Sequence, residues 1–147
     1  MKLPLRLQGG HDVILDTMLF IYFFEDDQKY GRGCEWLFQQ IADGAFTGMI
    51  TPVTAAELLV KPLLLKRPAL ADHYRDALRS LPNIRLVSLS PDAGFMAGAL
   101  RAKYNLPLPD MMQIAVAMEI NSTAMISNDK TLQRVKEVNV IMLDSLI

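Results

Sequence analysis

The chain has 147 residues, of which 15 are Lys or Arg and 16 are Asp or Glu, a formal net charge of −1 and one cysteine. This length suits one domain, residues 1–147, and a hydrophobic fraction of 51% excludes a wholly disordered chain. The single cysteine excludes a disulfide framework and a cysteine-based zinc site, and the two histidines exclude a His-rich metal centre. The near-zero charge excludes a uniformly basic surface for nucleic acid, but it allows a local one.

Predicted strands and helices alternate along the chain. Short apolar runs rich in β-branched residues predict strands, and apolar residues at helical spacing predict helices. In chain order we predict a strand at 13–15, helices at 17–24 and 34–42, a strand at 46–50, a helix from 51 to near Pro62, a helix at 68–81, a strand at 84–89, helices at 90–104 and 110–120, a strand at 123–126, a helix at 128–137 and a strand at 140–143. The alternation predicts an α/β fold, a single three-layer α/β/α domain with a mostly parallel sheet of about five strands.

The longest early apolar run, residues 18–24, bears on the cellular location. It is too short to span a bilayer, which takes about 20 residues. An acidic segment, residues 25–27, follows where a signal peptide would have small residues. We therefore expect a cytoplasmic protein.

Charge is distributed unevenly along the chain. Residues 1–57 have a net charge of −4, residues 58–104 a net charge of +5, and residues 105–147 a net charge of −2. A basic middle third could bind a polyanion, although a set of solvated surface helices would give the same pattern. The candidate phosphate-binding residues are Lys61, Lys66, Arg67, Arg101 and Lys103.

Four acidic residues are predicted to lie at one edge of the sheet. Asp16 and Asp129 follow the first and fourth predicted strands, Glu57 lies early in the helix after the second, and Asp110 opens the helix before the fourth. Ligands of open parallel sheets bind beyond the carboxyl ends of the strands. Each acid has a structural alternative: Asp16 and Asp129 as helix caps, Asp110 as a first-turn acid, and Glu57 in a capping box with Thr54.

Four carboxylates in one place would repel one another unless a cation neutralised them. A donor set made only of oxygen atoms favours Mg²⁺ or Mn²⁺. Such ions activate water and stabilise a departing oxyanion, so the cluster is suited to hydrolysis of phosphodiester bonds.

Other phosphate or hydrolase chemistries fit less well. The chain has no Walker-type loop and no Gly-x-Ser-x-Gly motif. A haloacid-dehalogenase-like phosphatase would need a second Asp at position 18, which is a methionine, and a response-regulator receiver would need an Asp at the end of the third strand, where residues 88–90 are Ser-Leu-Ser.

Four segments resemble the successive motifs of PIN domains, a family that includes the VapC-type ribonuclease toxins. The segments are residues 13–17 (VILDT), 54–58 (TAAEL), 106–115 (LPLPDMMQIA) and 126–130 (ISNDK). The resemblance implies an endoribonuclease that depends on Mg²⁺ or Mn²⁺. It also implies a homodimer and a cognate antitoxin protein that restrains it.

The resemblance also assigns roles to individual residues. The implied metal ligands and catalytic acids are Asp16, Glu57, Asp110 and Asp129. Thr17 and Ser127 would orient these carboxylates through hydrogen bonds, and Asn128 is an adjacent polar candidate.

Two alternatives to a nuclease remain open from the sequence. One is a catalytically silent PIN-like module that binds RNA or a protein. The other is a phosphatase or phosphotransfer domain with a covalent phosphoryl intermediate on Asp16.

Three further residues are assigned structural roles. We expect Cys34 to be buried rather than nucleophilic. Gly94 and Gly98, four positions apart, predict close packing of two helices.

Overall fold

A five-stranded parallel sheet forms the centre of the protein. The computed structural model describes residues 1–147, and the strand order is β3-β2-β1-β4-β5. The strands are β1 Asp12–Leu15, β2 Thr47–Ile50, β3 Ile84–Leu86, β4 Ala124–Ser127 and β5 Val140–Met142. Every neighbouring pair is parallel, so the predicted α/β class and sheet are confirmed.

Six helices cover the two faces of the sheet. They are α1 Thr17–Phe24, α2 Gly31–Ala42, α3 Pro52–Leu64, α4 Pro68–Ser80, α5 Pro91–Tyr104 and α6 Leu108–Glu119. Side chains alternate along β1: Val13 and Leu15 belong to a core cluster with α1 and α2, and Ile14 belongs to a second with α5 and α6. This alternation gives the predicted three layers. None of the six helices combines the length and apolar character needed to span a bilayer.

Three predicted elements differ in length or type. The predicted helix at 128–137 is only a short 3₁₀ helix, Lys130–Arg134, because the chain then turns to place Val135 and Val138 in the core. The third strand ends at Leu86, and α3 continues through the buried Pro62 to Leu64. A proline near the last turn removes little hydrogen bonding, so the helix does not stop there.

The predicted role of Gly94 and Gly98 is wrong. A Cβ atom added at either position would meet no atom within 4 Å, so these glycines do not bring two helices together. Gly48 in β2 is the glycine at which close packing excludes a side chain, since an added Cβ would lie 2.7 Å from Cδ1 of Leu15 in the neighbouring strand β1. Cys34 is buried as predicted, and burial raises the pKa of its thiol to about 12.

Candidate active site

Asp16 is the most enclosed of the four acidic residues. It directly precedes α1 and is only 4% exposed, yet its carboxylate does not cap that helix. Instead, Oδ2 accepts a hydrogen bond from Ser127 Oγ at 2.5 Å, and Oδ1 accepts one from Gln113 Nε2 at 3.2 Å. Burial raises the pKa of Asp16, and the two hydrogen bonds act in the opposite direction. The carboxylate is therefore oriented by side chains from α6 and β4.

Glu57 is held beside Asp16 through two threonines. Thr17 Oγ1 donates to Glu57 Oε1 at 2.9 Å. Because a hydroxyl has one hydrogen, the 3.0 Å contact between Thr17 Oγ1 and Thr54 Oγ1 must have Thr54 as its donor. The N-cap of α3 is Thr51, so Thr54 and Glu57 do not form the capping box considered above. Glu57 is exposed, with its carboxylate at the N-terminal turn of α1.

The pKa of Asp110 is affected by the other three carboxylates. It lies in the first turn of α6 and is half-buried. Burial, followed by the negative charges of Asp16, Asp129 and Glu57, raises the pKa of Asp110 from 3.8 to about 6. The first-turn position alone would favour the ionised form. The raised pKa therefore indicates that repulsion and burial outweigh the helix dipole.

Asp129 has a structural role in this conformation. Its Oδ1 accepts hydrogen bonds from the backbone N–H and the hydroxyl of Thr131, at 2.9 and 2.7 Å. The carboxylate thus caps the 3₁₀ helix, while Oδ2 makes no hydrogen bond. Ser127 Oγ accepts a 3.0 Å hydrogen bond from the backbone N–H of Asp129, which ties this turn to Asp16. Asn128, the residue between Ser127 and Asp129, is half-buried, and its Oδ1 has no hydrogen-bond partner.

The four carboxylates are not assembled as a ligand set. No three His, Cys, Asp or Glu side chains are arranged to hold a metal ion. The residues nevertheless fit a hard cation, because three buried oxygen atoms without hydrogen bonds all lie at this edge: Thr51 Oγ1 after β2, Gln113 Oε1 on the residue that contacts Asp16, and Asn128 Oδ1 after β4. Buried polar atoms normally have partners, and oxygen atoms are what Mg²⁺ and Mn²⁺ prefer.

Sequence reasoning missed two residues of this site. Gln113 contacts Asp16, and Thr54 supports Thr17. Each lies three residues from a predicted acid on the same helix, Gln113 after Asp110 and Thr54 before Glu57. Residues three apart share a helix face, and that spacing was the available signal.

The candidate phosphate-binding residues lie in three parts of the chain, which are α3, the connection from α3 to α4, and α5. Lys61 pairs with Glu25 at 2.6 Å, whereas Lys66 and Arg67, in the connection from α3 to α4, make no side-chain hydrogen bond or ion pair. In the last turn of α5, Arg101 bonds to Asn105 and Lys103 pairs with Glu137 at 3.3 Å. Only Lys66 and Arg67 are therefore free to bind phosphate without breaking a contact.

Comparisons with known proteins agree with the fold. The family model of the PIN domain matches residues 13–138. Solved structures of similar fold include VapBC2 from Rickettsia felis bound to a promoter DNA fragment, with 17% identity, a TM-score of 0.72 and coverage of 89% of this chain and 98% of that one. A toxin–antitoxin complex from Klebsiella pneumoniae has 21% identity, a TM-score of 0.67 and coverage of 89% and 97%.

A third solved structure, VapC20 from Mycobacterium tuberculosis, is described as a toxin that cleaves the sarcin–ricin loop. It has 13% identity, a TM-score of 0.66 and coverage of 86% of this chain and 98% of that one. No curated protein sequence matches the chain. Because the family model covers most of the 147 residues, this chain belongs to the PIN domain family.

Proposed function

We propose that this protein is a metal-dependent endoribonuclease that hydrolyses phosphodiester bonds of RNA, and that it is the toxin of a toxin–antitoxin pair. One observation carries the proposal. In a chain of the PIN family, burial and then the charges of Asp16, Asp129 and Glu57 raise the pKa of Asp110 to about 6. Such mutual repulsion at one edge of a parallel sheet is relieved by a divalent cation.

The residues divide into cation ligands and supports. Asp16, Glu57, Asp110 and Asp129 would hold Mg²⁺ or Mn²⁺, which when bound lowers the pKa of water and stabilises the leaving oxyanion. Ser127 holds one oxygen of the Asp16 carboxylate, and Thr17 holds one oxygen of Glu57. These hydrogen bonds orient the carboxylate of each acid.

A cleavage assay on a mixed panel of structured RNAs tests this function. We expect discrete fragments with Mg²⁺ or Mn²⁺ and none with EDTA. RNA that is bound equally well in EDTA and never cut would favour the catalytically silent module. Turnover of a small phosphate ester with a trapped phosphoryl group on Asp16 would favour the phosphotransfer interpretation.

The antitoxin partner is proposed from the toxin–antitoxin relatives and from a groove beside the site. The groove has apolar walls, including Phe24 and Leu58, and its lining also includes the Glu25–Lys61 ion pair and Glu57, whose charge no cation pairs. An antitoxin segment with an apolar face and a basic side chain would fit there. A segment in this groove would cover Glu57 and so block access to the carboxylates.

Substituting both free cations tests whether the α3–α4 connection binds RNA. We expect Lys66→Gln/Arg67→Gln to weaken RNA binding in EDTA and to reduce the slope of log K against log salt by about 1.4, or about 0.7 for each lost contact with single-stranded RNA. Lys2→Gln/Arg6→Gln, which removes the same charge near the N-terminus, is the matched control. Equal effects of the two double variants would count against a specific contact.

The proposed homodimer has a candidate surface on α5. Phe95 is 80% exposed, and Gly98 on the next turn leaves open space beside it. An exposed ring beside a glycine leaves room for the same ring of a second copy, as the self-complementary contact of a two-fold interface requires. We expect Phe95→Glu to weaken self-association by at least about 30-fold, or about 2 kcal/mol, measured by light scattering over a dilution series. Leu64→Glu, which charges an equally exposed residue of α3, should leave the dimer intact, and a dimer that survives Phe95→Glu would contradict this assignment.

A further inference from the structure

Gln113 is an unusual residue for its surroundings. It is fully buried in α6, and its neighbours Met111, Ile114 and Ala115 belong to the apolar core. A leucine would fill such a position without the need for hydrogen bonds. Gln113 makes one, to Asp16, and its Oε1 has no partner. Packing alone does not explain a glutamine here, since an unpartnered buried oxygen lowers stability.

The direction of the amide follows from its partner. An ionised carboxylate only accepts hydrogen bonds, so Nε2 must face Asp16 and Oε1 must face away. Gln113 Nε2 and Ser127 Oγ then hold the two different oxygens of one carboxylate, at 3.2 and 2.5 Å. Two donors on opposite oxygens fix the rotation of a side chain that either donor alone would leave free. Because Gln113 follows Asp110 by one helical turn, α6 contributes both an acid and the support for another acid.

From this geometry we infer that Gln113 is a positioning residue, which orients Asp16 for a divalent cation. The inference rests on the proposed function, because it concerns the same carboxylates. Removing such supporting hydrogen bonds typically weakens metal binding or activity by about 10–100-fold.

The test compares Gln113→Met, which keeps the length of the side chain, with the wild type. We expect Mn²⁺ binding measured by calorimetry to weaken by about 10–100-fold. The thermal midpoint in EDTA should be equal or higher, because a buried oxygen without a partner has been removed. In the cleavage assay, kcat should fall while KM for RNA stays unchanged. Ile114→Val is the matched control, because it alters a fully buried side chain of the same helix that makes no hydrogen bond to a carboxylate.

Each outcome decides the inference. If Gln113→Met binds Mn²⁺ within about twofold of the wild-type affinity, the inference is wrong, because removal of a positioning group weakens metal binding by about tenfold or more. The nuclease proposal would still stand. If Gln113→Met does not fold, Gln113→Leu takes its place with the same expectations. A folded wild type that neither binds Mn²⁺ nor cleaves RNA would overturn the proposed function and this inference together. Loss of Mn²⁺ affinity in Ile114→Val as well would show a general effect of altered packing in α6 and would also overturn the inference.

Discussion

Replacing Asp16 with asparagine is expected to reduce RNA cleavage by at least about 10²–10³-fold, the loss seen when one group that stabilises transition-state charge is removed. Asp16 is the buried acid, 4% exposed, with both oxygens oriented by donors. Asparagine has the same shape but no charge, so a cation would lose its most constrained ligand. The measurement is single-turnover cleavage of an RNA that the wild type cuts.

The same substitution should leave the fold intact. In Asp16→Asn, the amide oxygen of the new side chain can accept from Gln113, and its amide nitrogen can donate to Ser127 Oγ, because a serine hydroxyl accepts as well as donates. The change also removes a buried charge at a residue whose pKa is raised by desolvation. Circular dichroism and the thermal midpoint are the controls. Cleavage that is lost because the protein unfolds, or cleavage at the wild-type rate, would contradict the assigned role.

Asp110→Asn is expected to stabilise the protein at neutral pH in EDTA. The pKa of Asp110 is raised from 3.8 to about 6, so above pH 6 the folded state holds a carboxylate that the unfolded state ionises more easily. A shift of about two units corresponds to about 3 kcal/mol, and we expect about 1–2 kcal/mol because the side chain is partly open to water. Denaturant unfolding at about pH 7.5, above the folded-state pKa, measures the gain.

The pH dependence gives this prediction a definite sign. Below pH 3.8 Asp110 is protonated in both the folded and the unfolded state, so aspartate and asparagine should be equivalent there. As the pH rises through about 6, the wild type loses the stability that the protonated form provided, and the advantage of Asp110→Asn should reach its full size. Asp92→Asn, at the exposed first turn of α5, is the control and should not stabilise the protein at about pH 7.5, because an acid in the first turn favours the helix. An advantage that is the same at about pH 4 and about pH 7.5 would rule out relief of charge repulsion.

Much of the fold could be predicted from local patterns. The apolar runs around Val13 and Ile126 are buried on both sides, which is typical of central parallel strands. The element at 128–137 could not be predicted because its polar residues suit either kind of helix. Its form is set by contacts of Val135 and Val138 with residues distant in sequence.

Less of the candidate site could be predicted. The positions of the four acids followed from the topology, since residues after parallel strands meet at one edge. The hydrogen bonds of these acids did not follow from the topology, because the partners of Asp16 are 97 and 111 residues away in sequence. The cap made by Asp129 was foreseen as an alternative, and the structure contains that cap. Ion pairs such as that of Lys61 with Glu25 depend on how the helices are placed relative to each other. Charge counts along the chain carry no information about that placement.

We propose that the carboxylates at the ends of β1 and β4 and on α3 and α6 hold a divalent cation. Anomalous scattering from crystals grown with Mn²⁺ would locate that cation. We predict a strong anomalous peak coordinated by Asp16 and by at least one of Glu57, Asp110 and Asp129, and no such peak in Asp16→Asn. The absence of a peak at this edge, at a Mn²⁺ concentration that supports RNA cleavage, would contradict a cation site formed by these carboxylates.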